Sequence, residues 1–135
     1  MIILLDKNER LKELAEILTE AFKLSFTEED VEYRIEDGNR LYGVLDKDNK
    51  IEGFMHIRFI KDKEITYINL IDIVSSKVGL GSRLVNFLKI YGLPIKVLAL
   101  NKDVYPFYEK CGFVKDKGKL SSFTYTPLPT LYPSE

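Results

Sequence analysis

Residues 101–113 read NKDVYPFYEKCGF, and whether this stretch is a short helix set between two strands decides the fold. Asp103 is of a type that caps helices, because its carboxylate can accept a bond from an unpartnered first-turn N–H. Pro106 falls in the first turn, where a missing N–H costs nothing. Gly112 supplies the stop. Upstream, IKVLAL (95–100) is a compact apolar strand. Downstream, FVKDKG (113–118) and SSFTYT (121–126) read as two last strands, and LPTLYPSE (128–135), with its prolines, reads as an extended arm.

Working back towards the N-terminus, KVGLGSRL (77–84) opens a helix whose Leu80, Leu84, Phe87, Leu88 and Tyr91 share one face, stopped by Gly92 and Pro94. Its Gly79-Leu80-Gly81 is either a tight turn or a cradle for an anion at a helix N-terminus. The P-loop pattern is absent, and a dinucleotide fingerprint would put glycine where Leu84 stands and an acidic residue near Ala99 and Leu100. From Leu41 to Val74 the period is two: LYGVLD, IEGFMHIRFI and ITYINLIDIV, separated by DKDN and KDKE, predict a three-stranded antiparallel meander. On 65–74, strict alternation puts Ile71 and Ile73 on one face and Leu70, Asp72 and Val74 on the other. Before the meander, IILL (2–5) suits a buried strand. A helix to about Phe22 follows, with Leu11, Leu14, Ala15, Leu18, Ala21 and Phe22 on its core face. A second, acidic helix opens at Thr27 and ends at Gly38.

The fold class expected is therefore α+β, a central mixed but largely antiparallel sheet of about seven strands flanked by four helices. The order is β-α-α-β-β-β-α-β-α-β-β, in one domain over residues 1–135. The chain's 135 residues fit a single core. No apolar segment approaches the roughly 20 residues of a membrane span, and the expectation is a cytoplasmic protein. One cysteine, Cys111, and one histidine, His56, rule out a disulfide framework and a Cys/His zinc cluster, so no metal is expected. Net charge is −1, without the basic stripe that nucleic acid demands. The first 38 residues hold eleven acidic against five basic side chains, which reads as solvated helix faces or as an environment for a cationic ligand.

The segment Asn101…Phe113 resembles the Asn-x-x-Ala-x-x-Phe-Tyr-x-Lys-x-Gly-Phe motif of the GNAT superfamily of N-acetyltransferases, with Asn101, Phe107, Tyr108, Lys110, Gly112 and Phe113 matching and Val104 in the alanine place. The window 76–81, SKVGLG, is similar to that family's Arg/Gln-x-x-Gly-x-Gly/Ala loop, with Ser76 in the first position. The order of elements matches over nearly the whole chain.

The resemblance implies an acyltransferase that moves an acetyl group from acetyl-CoA to a primary amine by direct attack, without a metal. It implies that main-chain N–H groups of Val78, Gly79, Leu80, Gly81 and Ser82, with Lys77 or Arg83, bind pyrophosphate. Ile73 and Val74 would pair with the pantetheine arm, and Asn101 would hydrogen-bond its amides. Tyr108 would be general acid to the leaving thiolate. Asp72 is either the general base or an ordinary polar partner near a strand end. His56 reads as a structural or acceptor-pocket residue. The acceptor wall would involve Phe22, Ser25, Phe26, Glu29 and Tyr33. A rival reading keeps the fold without the chemistry, as a CoA-binding or protein-interaction module. Either a monomer or a homodimer is compatible, with no nucleic-acid or membrane partner.

Overall fold

In the computed structural model, the described residues are 2–5, 11–22, 29, 39–75 and 78–127. They contain strands β1 (Ile2–Leu4), β2 (Asn39–Leu45), β3 (Ile51–Asp62), β4 (Ile65–Ser75), β5 (Ile95–Leu98), β6 (Val114–Lys115) and β7 (Ser122–Tyr125). The helices are α1 (Leu11–Phe22), α2 (Leu80–Lys89) and α3 (Tyr105–Lys110), the last entered through a 3₁₀ turn at Lys102–Val104. Of the segment expected to form an acidic helix between α1 and β2, Glu29 alone is described, helical and exposed.

The strands make one sheet in the order β1-β2-β3-β4-β5-β7-β6. Every neighbouring pair is antiparallel except β4 and β5. That exception has a simple cause, because the chain returns to the same end of the sheet through α2, and a crossover of this kind yields a parallel pair. The meander turns carry their own chemistry: Asp46 Oδ1 accepts bonds from Asp48 N and Lys50 N at 2.8 and 2.9 Å. This Asx arrangement closes the β2–β3 connection.

The apolar pattern divides between two faces of the sheet. Leu80, Leu84, Val85 and Leu88 of α2 bury against Tyr42, Val44, Met55, Ile57, Ile68, Leu70, Ile95 and Val97. On the opposite face, Leu14 and Ala15 of α1 pack with Leu5, Leu41, Ile51 and Phe54. The side chains of Leu11, Leu18, Ala21 and Phe22 lie outside the described residues. Tyr91, expected on the core face of α2, stands past its end and is 39% exposed, its hydroxyl 2.7 Å from that of Tyr42.

Glu13 is more than a charge on a solvated face: Ile51 N donates to its carboxylate at 2.8 Å. The bond fastens α1 to the first residue of β3. Glu13→Ala is expected to lower stability by about 1.5–3 kcal/mol, the worth of a hydrogen bond to a charged group, with Glu13→Gln losing less because its amide oxygen can still accept. A denaturant midpoint unchanged in both variants would refute the anchor.

Strict alternation fails on β4 at one residue. His56 stands opposite Asp72 and Ile57 opposite Leu70, so Ile71 has no partner across from it on β3. This β-bulge reverses the phase of the strand. Before it, Ile68 and Leu70 join the α2 core; after it, Ile73 joins that core, while Val74 packs with the α1 cluster. The expected grouping of Leu70, Asp72 and Val74 on one face is therefore corrected. Asp72 moves to the face that carries His56 and Phe54.

Candidate active site

The parallel ladder between β4 and β5 is short. It pairs Ile68 with Ile95, Asn69 with Lys96 and Leu70 with Val97, and no further. Beyond these positions β4 continues to Ser75, while the chain after β5 turns towards β7, where Ala99 N donates to Ser121 O at 2.7 Å. A cleft of about 90 Å³ opens where the strands part, lined by Ile71, Asp72 and Ile73 from β4, Leu98 and Leu100 from the β5 side, and Val104, Phe107 and Tyr108. The bulge lies on its wall. The apolar residues here are half open to solvent: Ile71, Leu98 and Leu100 are all exposed.

Tyr108 is held in this cleft by the way its helix ends. Phe113 N donates to Tyr108 O and Gly112 N to Glu109 O, both at 3.0 Å, with Gly112 at φ +92°. This pair of bonds is a Schellman motif, which requires the left-handed residue that glycine supplies. Phe113 is thereby folded back onto the helix, its ring 5.5 Å from that of Tyr108. Phe107 and Phe123 complete the enclosure, at ring distances of 5.1 and 6.0 Å. Burial pushes the Tyr108 phenol up to about 12, with electrostatic interactions with Cys111 and Asp72 acting in the same direction. The group therefore stays protonated at neutral pH.

The glycine turn and the aromatic helix are in contact. A Cβ on Gly81 would come within 3.1 Å of two ring carbons of Phe107 and 3.9 Å of Ile73 Cδ1. Gly81 is thus glycine so that α2 can approach α3 closely. Gly79 has a different reason. It caps α2 at φ +93°, and a Cβ there would meet nothing within 4 Å, so its backbone conformation alone demands glycine. Gly79→Ala is expected to cost about 1–2 kcal/mol, read as a lower denaturant midpoint; an unchanged midpoint would show that the turn relaxes freely. Leu80 is buried, leaving only its main chain available, whereas Val78 and Arg83 are exposed and Ser82 is half-buried.

Asn101, not Asp103, makes the cap after β5: its side-chain oxygen accepts from Asp103 N at 2.9 Å. Both residue types can cap, and the extended backbone of Asn101 makes it the residue outside the turn. Asn101 is exposed, and the cap engages its amide oxygen, not its NH₂.

His56 is 4% exposed, on β3 opposite Asp72, with its Nδ1 3.8 Å from Asp72 Oδ2. The structure therefore brings together Asp72, Ile73 and Tyr108 in one cleft, with His56 behind Asp72 and Val74 two residues along the same strand. Lys77, Ser25, Phe26 and Tyr33 lie outside the described residues, as does the side chain of Phe22. Among the described residues no three His, Cys, Asp or Glu side chains gather as a metal site would require, and no helix is long and apolar enough to cross a membrane. Sequence reasoning did not single out Ile71, Leu98, Leu100 and Val104 as cleft walls. Leu98 and Leu100 did carry a signal, as apolar residues on the outward parity of a strand whose inward residues are Val97 and Ala99.

Comparison with known proteins places these features in context. A family model described as the Acetyltransferase (GNAT) family matches residues 11–113. No curated protein matches the chain. Among solved structures, the aminoglycoside 6'-N-acetyltransferase from Enterococcus faecium superposes with a TM-score of 0.70 at 20% identity, over 96% of this chain and 98% of that one. An aminoglycoside 6'-N-acetyltransferase complexed with coenzyme A gives 0.66 at 19% identity, over 92% and 93%. A GCN5-related glucosamine N-acetyltransferase region of a fungal multi-domain GH3 β-N-acetylglucosaminidase gives 0.72 at 12% identity, over 87% of this chain and 17% of that longer one.

Proposed function

The chain belongs to the GNAT acetyltransferase family, and from that premise we propose that it moves an acetyl group from acetyl-CoA to a primary amine within a ternary complex. The observation that carries the reading is Tyr108, a buried and protonated phenol lining the cleft between β4 and β5. Two features suit the co-substrate. β4 runs on beyond its last pairing with β5, leaving main-chain groups from Ile71 to Ser75 on that side for an added strand-like partner. The turn at Gly79 is free of side-chain obstruction at the N-terminus of α2, where backbone N–H groups and the helix dipole favour phosphate.

Acetyl-CoA would supply the activated thioester that the amine attacks directly. Val78, Gly79, Leu80, Gly81 and Ser82 would offer main-chain donors to the pyrophosphate, with Lys77 and Arg83 adding charge. Ile73 and Val74 would pair with the pantetheine arm, and an N–H near Val74 would polarise the carbonyl. Asn101 has amide N–H groups to offer the same arm. Asp72 would accept a proton from the acceptor ammonium, and Tyr108 would protonate the departing sulfur from its hydroxyl. Phe22, Ser25, Phe26, Glu29, Tyr33 and His56 are the proposed acceptor side. The structural neighbours named for aminoglycosides direct the first trials to polycationic amines.

The test is a melting curve with millimolar acetyl-CoA, followed by thiol release with a panel of amines. A clear upward shift with turnover of at least one amine is expected. No shift would refute the reading. A shift without turnover of any amine would favour a CoA-binding module that lacks the chemistry.

A further inference from the structure

We propose that His56 is a positioning residue for Asp72, holding its carboxylate towards the cleft; this rests on the acetyl transfer set out above. Three observations meet here. The β-bulge at Ile71 reverses the phase of β4, which takes Asp72 off the face of Leu70 and puts it opposite His56. His56 Nδ1 and Asp72 Oδ2 are 3.8 Å apart. Asp72 lines the same cleft as Tyr108, whereas His56 is not among the cleft walls and is nearly fully buried. An imidazole in that position acts on the reaction through the carboxylate in front of it. The carboxylate, 15% exposed, is the one that can meet a substrate.

The surrounding charges are few among the described residues. On the same face of β3 the next charged side chain is Arg58, opposite Asn69 of β4. β2 places Leu41 opposite His56 and Asn39 opposite Arg58. From α1, Glu13 is committed to Ile51 N, and from the far side of the cleft α3 contributes Tyr108 and the β5 side Leu98 and Leu100. A carboxylate that must accept a proton in a fixed direction gains from a rigid charged or polar neighbour, because misplacement of a reacting group by about 1 Å can cost about 10²-fold in rate.

The proton balance is closed without a further reactant. The acceptor ammonium gives one proton to Asp72, which releases it to solvent. The nitrogen then bonds to the acetyl carbon as the carbon–sulfur bond breaks. Its second proton replaces the one that Tyr108 donates to sulfur.

His56 is the chain's single histidine, so its ring nitrogens are assigned in an NMR spectrum without ambiguity. Asp72→Asn is expected to move the Nδ1 ¹⁵N resonance of the imidazole well beyond any change at Nε2. An unmoved Nδ1 would overturn the proposal, with or without an acceptor in hand. In thiol-release assays with acetyl-CoA and kanamycin, spermidine or a lysine peptide, His56→Leu is expected to lower kcat about tenfold with KM for acetyl-CoA unchanged. It should also displace the acid limb of the kcat profile. His56→Asn, which keeps an N–H near the Nδ1 position, should recover most of the loss. In the Asp72→Asn background, His56→Leu should add almost nothing. Losses that multiply independently, or a loss that follows melting temperature in both His56 variants, would show a structural role only. Absence of wild-type thiol release with all three amines would instead overturn the catalytic half of the proposal, and the Nδ1 shift would still report on the pair.

Discussion

Tyr108→Phe is expected to cut kcat by about 10²–10⁴-fold, the range for loss of a positioned proton donor, while CoA still shifts the melting temperature as it does for the wild type. The substitution removes one oxygen and leaves the ring, so the packing against Phe107, Phe113 and Phe123 survives. The chemistry does not. A leaving thiolate must be protonated, and the phenol in the cleft, held protonated by burial up to about 12, is the donor proposed for it. Unchanged turnover beside intact CoA binding would remove Tyr108 from the mechanism.

The same shift has a consequence for pH. The folded-state value lies above the ordinary tyrosine value of about 10, so the native protein holds this proton more tightly than the unfolded chain. The associated stability is complete below about pH 10 and is lost as pH rises through about 12. Tyr108→Phe should therefore flatten the alkaline decline in stability between those limits. It also follows that a fall in wild-type activity between pH 8 and 10 belongs to some group other than Tyr108. Denaturant midpoints taken at pH 7, 10 and 11 check the first point; a variant whose alkaline decline matches the wild type would contradict it.

The second large effect is structural. Phe123→Ala is expected to destabilise the protein by about 3–5 kcal/mol, because the removed ring leaves a cavity that its neighbours fill incompletely. Phe123 is fully buried on β7, opposite Val97 of β5 and Lys115 of β6. Its ring lies 4.9 Å from that of Tyr105 and 6.0 Å from that of Tyr108. Against a typical total of about 5–15 kcal/mol, such a loss is a large fraction. The melting temperature should fall by about 10 °C or more. Phe123→Leu, leaving a smaller void, should lose less and retain more activity, since the space behind Tyr108 stays partly filled. A Phe123→Ala protein that melts within a degree or two of the wild type would mean that the site collapses around the void.

How far the site was legible differs from residue to residue. Gly112 announced the end of α3, since a helix stop in the left-handed region selects glycine, and that stop in turn fixes Tyr108. Gly79 was legible on the same ground. Gly81 was read as leaving room for a phosphate, and its closest constraint proves to be Phe107, twenty-six positions later. A contact that distant leaves no local mark. The choice of Asn101 over Asp103 as cap was equally invisible, because both side chains can accept the bond and only the backbone angles select one.

By itself the sequence determined the strands, their meander, the crossover helix and the short aromatic helix, because apolar periods of two and 3.6 and glycine or proline stops are local properties of the chain. It also determined the family, through the residues from Asn101 to Phe113. Only the tertiary structure decided which face Asp72 occupies and that β4 and β5 part after Leu70 and Val97. The bulge at Ile71 is a mismatch between two strands, and the cleft is a ladder that ends before its strands do. Both are properties of pairing, and a pairing mismatch has no signature in either strand alone.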